Sequence, residues 1–369
     1  MDKINHSNPV PIHEQLKNII LKQIEEGILL PGQKIPSERE LSSLYDVSRA
    51  TSKNAVLSLM NEGYVIRITG KGTFIKQNLK IHERNKKLKK IISYIVNIPK
   101  EMRIKLHEDP LYYTIYEGIQ EIAKVHGFHI LFTYTSDDPE ELESLKASFD
   151  KVDGIIFTEL SSINIRQILK RSGLPVVLIL PQIDEYSFDA VYSDETQVAK
   201  IALNYLYKLK HENIGIINGP LNCRGGRVFF KEYQDFMERK KIPIKDTWIS
   251  GNNTWRFQSG FDAMSELMEK QNECTAVFAA NDLLALGALK YAQEHSIRVP
   301  DDISIIGANN ISASAISSPP LTTIDMHPKE VGMYATKRML ERLDGQYPFY
   351  IRINVQCSLI ERHTCRTRR

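Results

Sequence analysis

Residues 36–54 read PSERELSSLYDVSRATSKN, and two helix starts lie within them. Ser37 followed three residues on by Glu40 forms a reciprocal cap: the serine oxygen accepts the Glu40 N–H, and the glutamate turns back to the Ser37 N–H. Leu41 and Leu44 give the helix that follows one apolar stripe. Tyr45-Asp46-Val47 interrupts the pattern, and Ser48 caps a second run from Arg49 to Met60. In that run Ala55, Val56 and Leu59 are the residues to bury. Arg49, Thr51, Ser52 and Lys53 crowd its first turn with short polar groups and cations, donors suited to phosphates and base edges. The pair reads as a helix-turn-helix, although solvated helix hairpins are built from the same parts.

The flanks favour the first reading. Upstream, IHEQLKNIILKQIEEG places Ile12, Leu16, Ile19, Ile20 and Ile24 at helical spacing, with Gly27 where a stop belongs. Downstream, EGYVIRITGKGTF alternates Tyr64, Ile66 and Ile68 against Val65, Arg67 and Thr69. It then turns through Gly70-Lys71-Gly72 into Thr73-Phe74-Ile75. Three helices and a hairpin with a cationic tip make a small α+β winged helix-turn-helix over residues 1–78.

The run from Pro31-Gly32 through Pro36-Ser37-Glu38-Arg39 and Val47-Ser48-Arg49 to Gly72-Thr73-Phe74 resembles the winged-helix signature of the GntR family. That resemblance implies DNA contacts from Arg39, Arg49, Thr51 and Lys53, alongside Ser48 and Ser52, and a minor-groove approach by the wing tip at Gly70 and Lys71. Many members carry a second arginine where this chain has Lys53. A lysine makes a point contact rather than a planar fork, which suits phosphate better than a base edge.

The 369 residues leave room for a second, larger core. The net charge of +3 conceals a gradient: residues 1–78 hold ten cations against eight anions, and residues 79–91 hold six cations (Lys80, Arg84, Lys86, Lys87, Lys89, Lys90) against Glu83 alone. The latter reads as a basic linker, a composition that serves solubility and also attracts phosphates. Cys223, Cys274, Cys357 and Cys365 are scattered without zinc spacing and are expected to be free thiols, with no metal or cofactor. Without an apolar leader or a stretch of about 18 apolar residues, the chain is expected to be cytoplasmic and to have no membrane partner.

From residue 91 apolar strands alternate with helices: IISYIVNI, FHILFTY, DGIIFT and PVVLIL, then, after Pro181-Gln182, DAVYSD, NIGIING, TAVFAA and ISIIGA. These are βα units of parallel sheets. A restart near residues 185–190 implies two lobes, the second beginning near residue 189, with a cleft facing the carboxyl ends of the strands. This half, 92–369, resembles the effector domain of LacI/GalR repressors, which is similar to periplasmic sugar-binding proteins. The landmarks are VYSDETQVAKIALNYLYKLKHENIGIINGP, TAVFAANDLLALGALKYAQEHSIRVPDDISIIG, SPPLTTID and LIERHT. The expected fold is thus an α/β two-lobed effector and dimerisation domain behind the winged head.

The resemblance makes Asp282 the carboxylate that accepts hydrogen bonds from sugar hydroxyls; with Asn281 it also reads as a helix cap. Arg227, with Arg224 nearby, is placed like the family's ligand arginine. Trp255 is either a stacking surface for a sugar or core, and Asp194 either reaches ligand or caps the next helix. Tyr112 and Tyr113 are the candidates from the first lobe. Ala308-Asn309-Asn310 stands where the family usually carries two aspartates, which weakens the case for a contact from that loop. The expected function is a ligand-responsive repressor, a homodimer on operator DNA, similar to the arabinose-responsive repressors of Gram-positive bacteria and released by a small sugar, L-arabinose first. The alternatives are a corepressor-type regulator binding a nucleoside or sugar phosphate, and a sugar-modifying enzyme with an appended DNA-binding domain. No phosphate loop, nucleophile elbow or H-E-x-x-H supports an enzyme.

Overall fold

The computed structural model describes residues 4, 10–25, 28–30, 32–76, 89–100, 103, 106–183, 185–251, 254–269, 273–345 and 349–368. It divides into two compact units, Met1–Leu88 and Lys89–Arg369. Most of the basic stretch at 79–91, and Gly27, lie outside the described residues.

The head comprises helices α1 (Ile12–Glu25), α2 (Glu38–Tyr45) and α3 (Arg49–Asn61) and strands β1 (Val65–Ile68) and β2 (Gly72–Ile75). Its local chemistry is that read from residues 36–54. The Glu40 N–H donates to Ser37 Oγ at 3.3 Å and the Ser37 N–H to Glu40 Oε2 at 2.7 Å, closing the capping box. Asp46 ends α2 in the left-handed region, and Ser48 Oγ accepts the Thr51 N–H at 3.0 Å to start α3. Leu16, Ile20, Leu41, Tyr45, Ala55, Val56 and Leu59 share one core. Leu44, expected beside Leu41 on the buried stripe, is half exposed, and the larger Tyr45 takes the core position. β1 and β2 pair antiparallel from Val65↔Ile75 to Ile68↔Gly72, with Gly70 and Gly72 supplying the positive φ of the turn.

The second unit contains two six-stranded sheets. The first lobe holds β3 (Ile91–Asn97), α4 (Pro110–Val125), β4 (His129–Thr135), α5 (Pro139–Ser148), β5 (Gly154–Thr158), α6 (Ile163–Arg171), β6 (Val176–Ile179) and β7 (Asp189–Ser193). The second holds α7 (Glu195–Lys208), β8 (Ile214–Asn218), α8 (Arg224–Lys240), β9 (Ile249–Gly251), α9 (Phe257–Glu269), β10 (Ala276–Ala279), α10 (Asp282–Glu294), β11 (Ser304–Ala308), α11 (Ser312–Ile316) and β12 (Thr322–Asp325). The chain then returns to the first lobe with α12 (Pro328–Leu343) and β13 (Arg352–Val355), and ends in the second with β14 (Ser358–Ile360). The sheet orders are β13-β7-β6-β5-β3-β4 and β14-β12-β11-β10-β8-β9. Every pairing is parallel except β12 with β14.

The expected lobe boundary near 185–190 is corrected: β7 belongs to the first sheet, between β6 and β13, and the chain first crosses at Asp194. The cause is a buried carboxylate. Asp189 accepts from Arg338 Nε at 2.8 Å, Arg342 Nε at 2.6 Å and the Ile351 N–H at 2.8 Å, which fastens β7 to α12 and to the approach to β13, all in the first lobe. α12 in turn lies close on α4, where a Cβ on Gly118 would stand 2.0 Å from the Lys329 carbonyl oxygen. The three crossings, after β7, after β12 and after β13, are laced together. Ser193 Oγ donates to the Met326 carbonyl, Gln197 Oε1 accepts the Cys357 N–H at 2.8 Å, and His327 Nε2 meets Ser358 Oγ at 3.0 Å. Two lobes on three short, tied strands form a hinge.

Candidate functional site

In the head, the residues that bury in α3 are Ser52, Ala55, Val56 and Leu59. Ser52 as a DNA contact is therefore corrected: its side chain is wholly buried and its hydroxyl donates to the Ser48 carbonyl at 3.3 Å, because position 52 falls on the same face as Ala55 and Leu59. Ser48 and Thr51 hold one another through their hydroxyls at 2.8 Å, leaving both at the rim of the first turn. Arg49 and Lys53 are exposed, as are Arg39 on α2 and Gly70 and Lys71 at the wing tip. Two other cations of the head are engaged: Arg67 pairs with Glu38, and Lys17 pairs with Glu14 at 2.6 Å and Glu62 at 2.9 Å. Arg39, Arg49, Lys53 and Lys71 make no such pair among the described residues. They form the set available for phosphates and base edges.

In the second unit the cluster lies at the carboxyl ends of the strands. From the first lobe come Asp109, which caps α4 by accepting the Leu111 and Tyr112 N–H groups at 3.2 Å, and Tyr112 and Glu159. Glu159 follows β5 with φ +64°, a strained turn that directs a carboxyl off the end of the sheet. Burial pushes its pKa up to about 8, the nearby charges of Glu195 and Asp109 add to the rise, and hydrogen bonds from Gln182 and Tyr112 oppose it. Burial, then the Glu159 charge, likewise raises the Tyr112 phenol well above its ordinary range. From the second lobe, Arg224 reaches back across the hinge. Its N–H donates to Gln182 Oε1 at 2.6 Å, Nη1 to the Pro181 carbonyl at 3.3 Å, and Nε lies 3.2 Å from Glu195 Oε2. Burial raises the Glu195 carboxyl, and the Arg224 guanidinium limits the rise. A chain of polar groups, Tyr112–Glu159–Gln182–Arg224–Glu195, thus spans the cleft. The cavity beside it, lined by Leu180, Pro181, Tyr192, Ser193, Glu195, Arg224 and Arg352, is only about 10 Å³.

The remaining candidates divide. Arg227 is exposed near Glu195, its Nη1 donating only to the Leu221 carbonyl at 3.2 Å. Trp255 lies on the backbone of Gly219, where a Cβ would stand 2.2 Å from the indole, and its ring meets Phe229 edge-on at 6.4 Å. It is half core, with part of its surface open. Asp194 caps α7 by accepting the Thr196 N–H at 2.9 Å. Tyr113 turns away to pack against Tyr116, 6.5 Å between ring centres.

Asp282, expected at the ligand, is held in this structure by the protein's own donors. It is fully buried, Oδ2 accepts the Ile311 N–H at 2.9 Å and Ser314 Oγ at 2.6 Å, and Oδ1 accepts Thr323 Oγ1 at 2.5 Å. It fastens the loop after β11 to α10, and burial pushes its pKa up to about 6 against those three hydrogen bonds. Its neighbour Asn281 is the cap, accepting the Leu284 N–H at 2.8 Å. Sequence reasoning missed Asp109, Glu159, Gln182 and Glu195. Their one available signal was position, since Asp109 directly precedes α4, Glu159 directly follows β5, Glu195 opens α7 and Gln182 lies in the turn after β6.

The model of the bacterial regulatory proteins of the gntR family matches residues 12–75, and that of the periplasmic binding protein-like domain matches residues 203–365. The HTH-type transcriptional repressor CytR of Escherichia coli is 30% identical over 264 residues, 70% of this chain and 76% of that protein. The HTH-type transcriptional repressor PurR of Haemophilus influenzae is 29% identical over 280 residues, 72% of this chain and 81% of that one. Among solved structures, a LacI family transcriptional regulator from Enterococcus faecium with bound ribose has a TM-score of 0.65 at 25% identity, covering 75% of this chain and 100% of that one. These relatives are regulators of transcription rather than enzymes, and no described helix here is long and apolar enough to cross a membrane. With a gntR-type head joined to a two-lobed effector unit, the chain belongs to the family of ligand-responsive transcriptional repressors of the LacI, PurR and CytR type.

Proposed function

We propose that the protein represses genes for the use of a small neutral sugar and leaves its operator when that sugar closes the cleft. The observation that carries this reading is the polar chain Tyr112–Glu159–Gln182–Arg224–Glu195, to which both lobes contribute beside an exposed Arg227 and a partly open Trp255 face. Carboxyls, an amide and a guanidinium suit a ligand rich in hydroxyl donors and acceptors, and an indole face suits its C–H surface. Three carboxyls against a single unengaged arginine disfavour a phosphate. A pentose fits best, in keeping with the ribose held by the Enterococcus faecium regulator, and L-arabinose is the first candidate.

A ligand that touches both lobes favours one arrangement of the hinge. It can therefore bias the operator-binding state only by its differential affinity for the two states. The winged heads act as a pair, because one recognition helix reads few base pairs and a homodimer meets a two-fold operator. The test is a thermal-shift screen of L-arabinose, D-ribose, hexoses, nucleosides and sugar phosphates, followed by operator titration with and without the hit. A ligand at 100 times its Kd adds ~2.7 kcal/mol of stability. A response to nucleosides or sugar phosphates alone, or tighter operator binding with ligand, would replace this reading by the corepressor one. Sedimentation of a monomer on DNA would remove the homodimer.

A further inference from the structure

We infer that Asn54 is a base-reading residue of this protein and that it reads an adenine; the inference rests on α3 being the helix that enters the DNA groove. At 3.6 residues per turn, Ala50, Asn54 and Leu57 form one row along α3, diametrically opposite the buried face of Ser52, Ala55, Val56 and Leu59. Ala50 and Asn54 are exposed and Leu57 is half-buried. This row, rather than Arg49 and Lys53, is the crest of the helix. The two cations lie along one edge of the exposed arc, and Thr51, tied to Ser48, lies toward the other. At that edge the point charge of Lys53 meets the groove wall, where the phosphates are, and the long planar fork of Arg49 reaches inward from it, whereas the crest lies over the floor, where the base edges are.

Asn54 is the polar side chain of that crest within the first two turns of α3, Asn61 standing at the far end of the helix, and it makes no hydrogen bond among the described residues. A planar amide with one acceptor and two donors matches the N7 acceptor and N6 donor that adenine alone presents together in the major groove. Ala50, one turn earlier, has no side chain long enough to hold the backbone off the bases, so the short reach of an asparagine suffices.

Selection from a randomised duplex library tests this on the full-length protein and needs no operator in hand. Wild type, Asn54→Ala, Arg49→Ala and Lys53→Ala are each used to select, and the bound DNA is sequenced. Wild type should yield a motif with an adenine favoured on the order of tenfold or more at one position. Asn54→Ala should flatten that position alone and keep the rest of the motif. Alanine is the better helix former at an exposed site, so the variant should melt no earlier than wild type. An unchanged adenine preference in Asn54→Ala would overturn the inference. Absence of any motif with wild type would instead overturn the assignment of α3 as the reading helix.

Discussion

Replacing Asp282 by alanine should unfold the second lobe more easily rather than silence effector recognition selectively. Three donors converge on this carboxylate, and Ile311, Ser314 and Thr323 are themselves buried. A buried donor deprived of its partner costs ~1–3 kcal/mol. The two hydroxyls can rotate in search of another acceptor and count near the low end. The Ile311 N–H is held by the backbone and counts near the high end, giving a loss of about 5 kcal/mol. Against a total stability of ~5–15 kcal/mol, that is a large fraction. The assay is urea unfolding followed by tryptophan fluorescence, since Trp248 and Trp255, the chain's two tryptophans, both belong to the second lobe. The pH dependence supplies a second check. The folded-state pKa of about 6 exceeds the ordinary 3.8, so the native state binds this proton more tightly and the group's contribution falls as pH rises from about 4 to about 6. The gap between wild type and Asp282→Ala should therefore widen by about 2 kcal/mol between pH 6 and pH 4. An Asp282→Ala protein within ~1 kcal/mol of wild type that still fails to respond to effector would refute the reasoning and return Asp282 to the ligand.

Arg49→Ala should relax base preference at one position of the selected motif by ~1–3 kcal/mol, whereas Lys53→Ala should weaken all sequences alike and reduce the salt slope by about one; equal losses on specific and random DNA would contradict the separation. Glu159 is pushed up to about 8 against an ordinary 4.5, so an effector that keeps this carboxyl buried, where the unliganded open cleft exposes it, should bind more weakly as pH climbs from about 4.5 to about 8, levelling off above. Glu159→Gln should remove that slope in calorimetric titrations. Gly118→Ala would drive a methyl against the Lys329 carbonyl and separate α4 from α12, lowering stability by ~1–3 kcal/mol in the same urea assay; a neutral result would mean that the two helices can slide apart freely.

The head was legible almost residue by residue because its determinants are local. A capping box needs only Ser37 and Glu40 three positions apart, and a glycine-rich turn needs only Gly70 and Gly72 between two apolar runs. The parallel sheets of the second unit were legible for a related reason, since strands buried on both faces read as continuous apolar runs. The sequence alone placed Ser52 beside the contacts and Asp282 at the ligand because both lie within motifs of the right residue type. Only packing shows that Ser52 turns to the core and that both Asp282 oxygens already accept from the protein itself. Lobe membership was likewise invisible: Asp189 joins the first lobe through Arg338, Arg342 and Ile351, some 150 residues away, and no local pattern encodes a partner so distant. The cleft carboxyls Asp109, Glu159 and Glu195 escaped notice for the same reason. In sequence each is an ordinary acidic residue at the end of an element, and their significance comes from the fold bringing three separate βα turns together, where burial raises all three carboxyls.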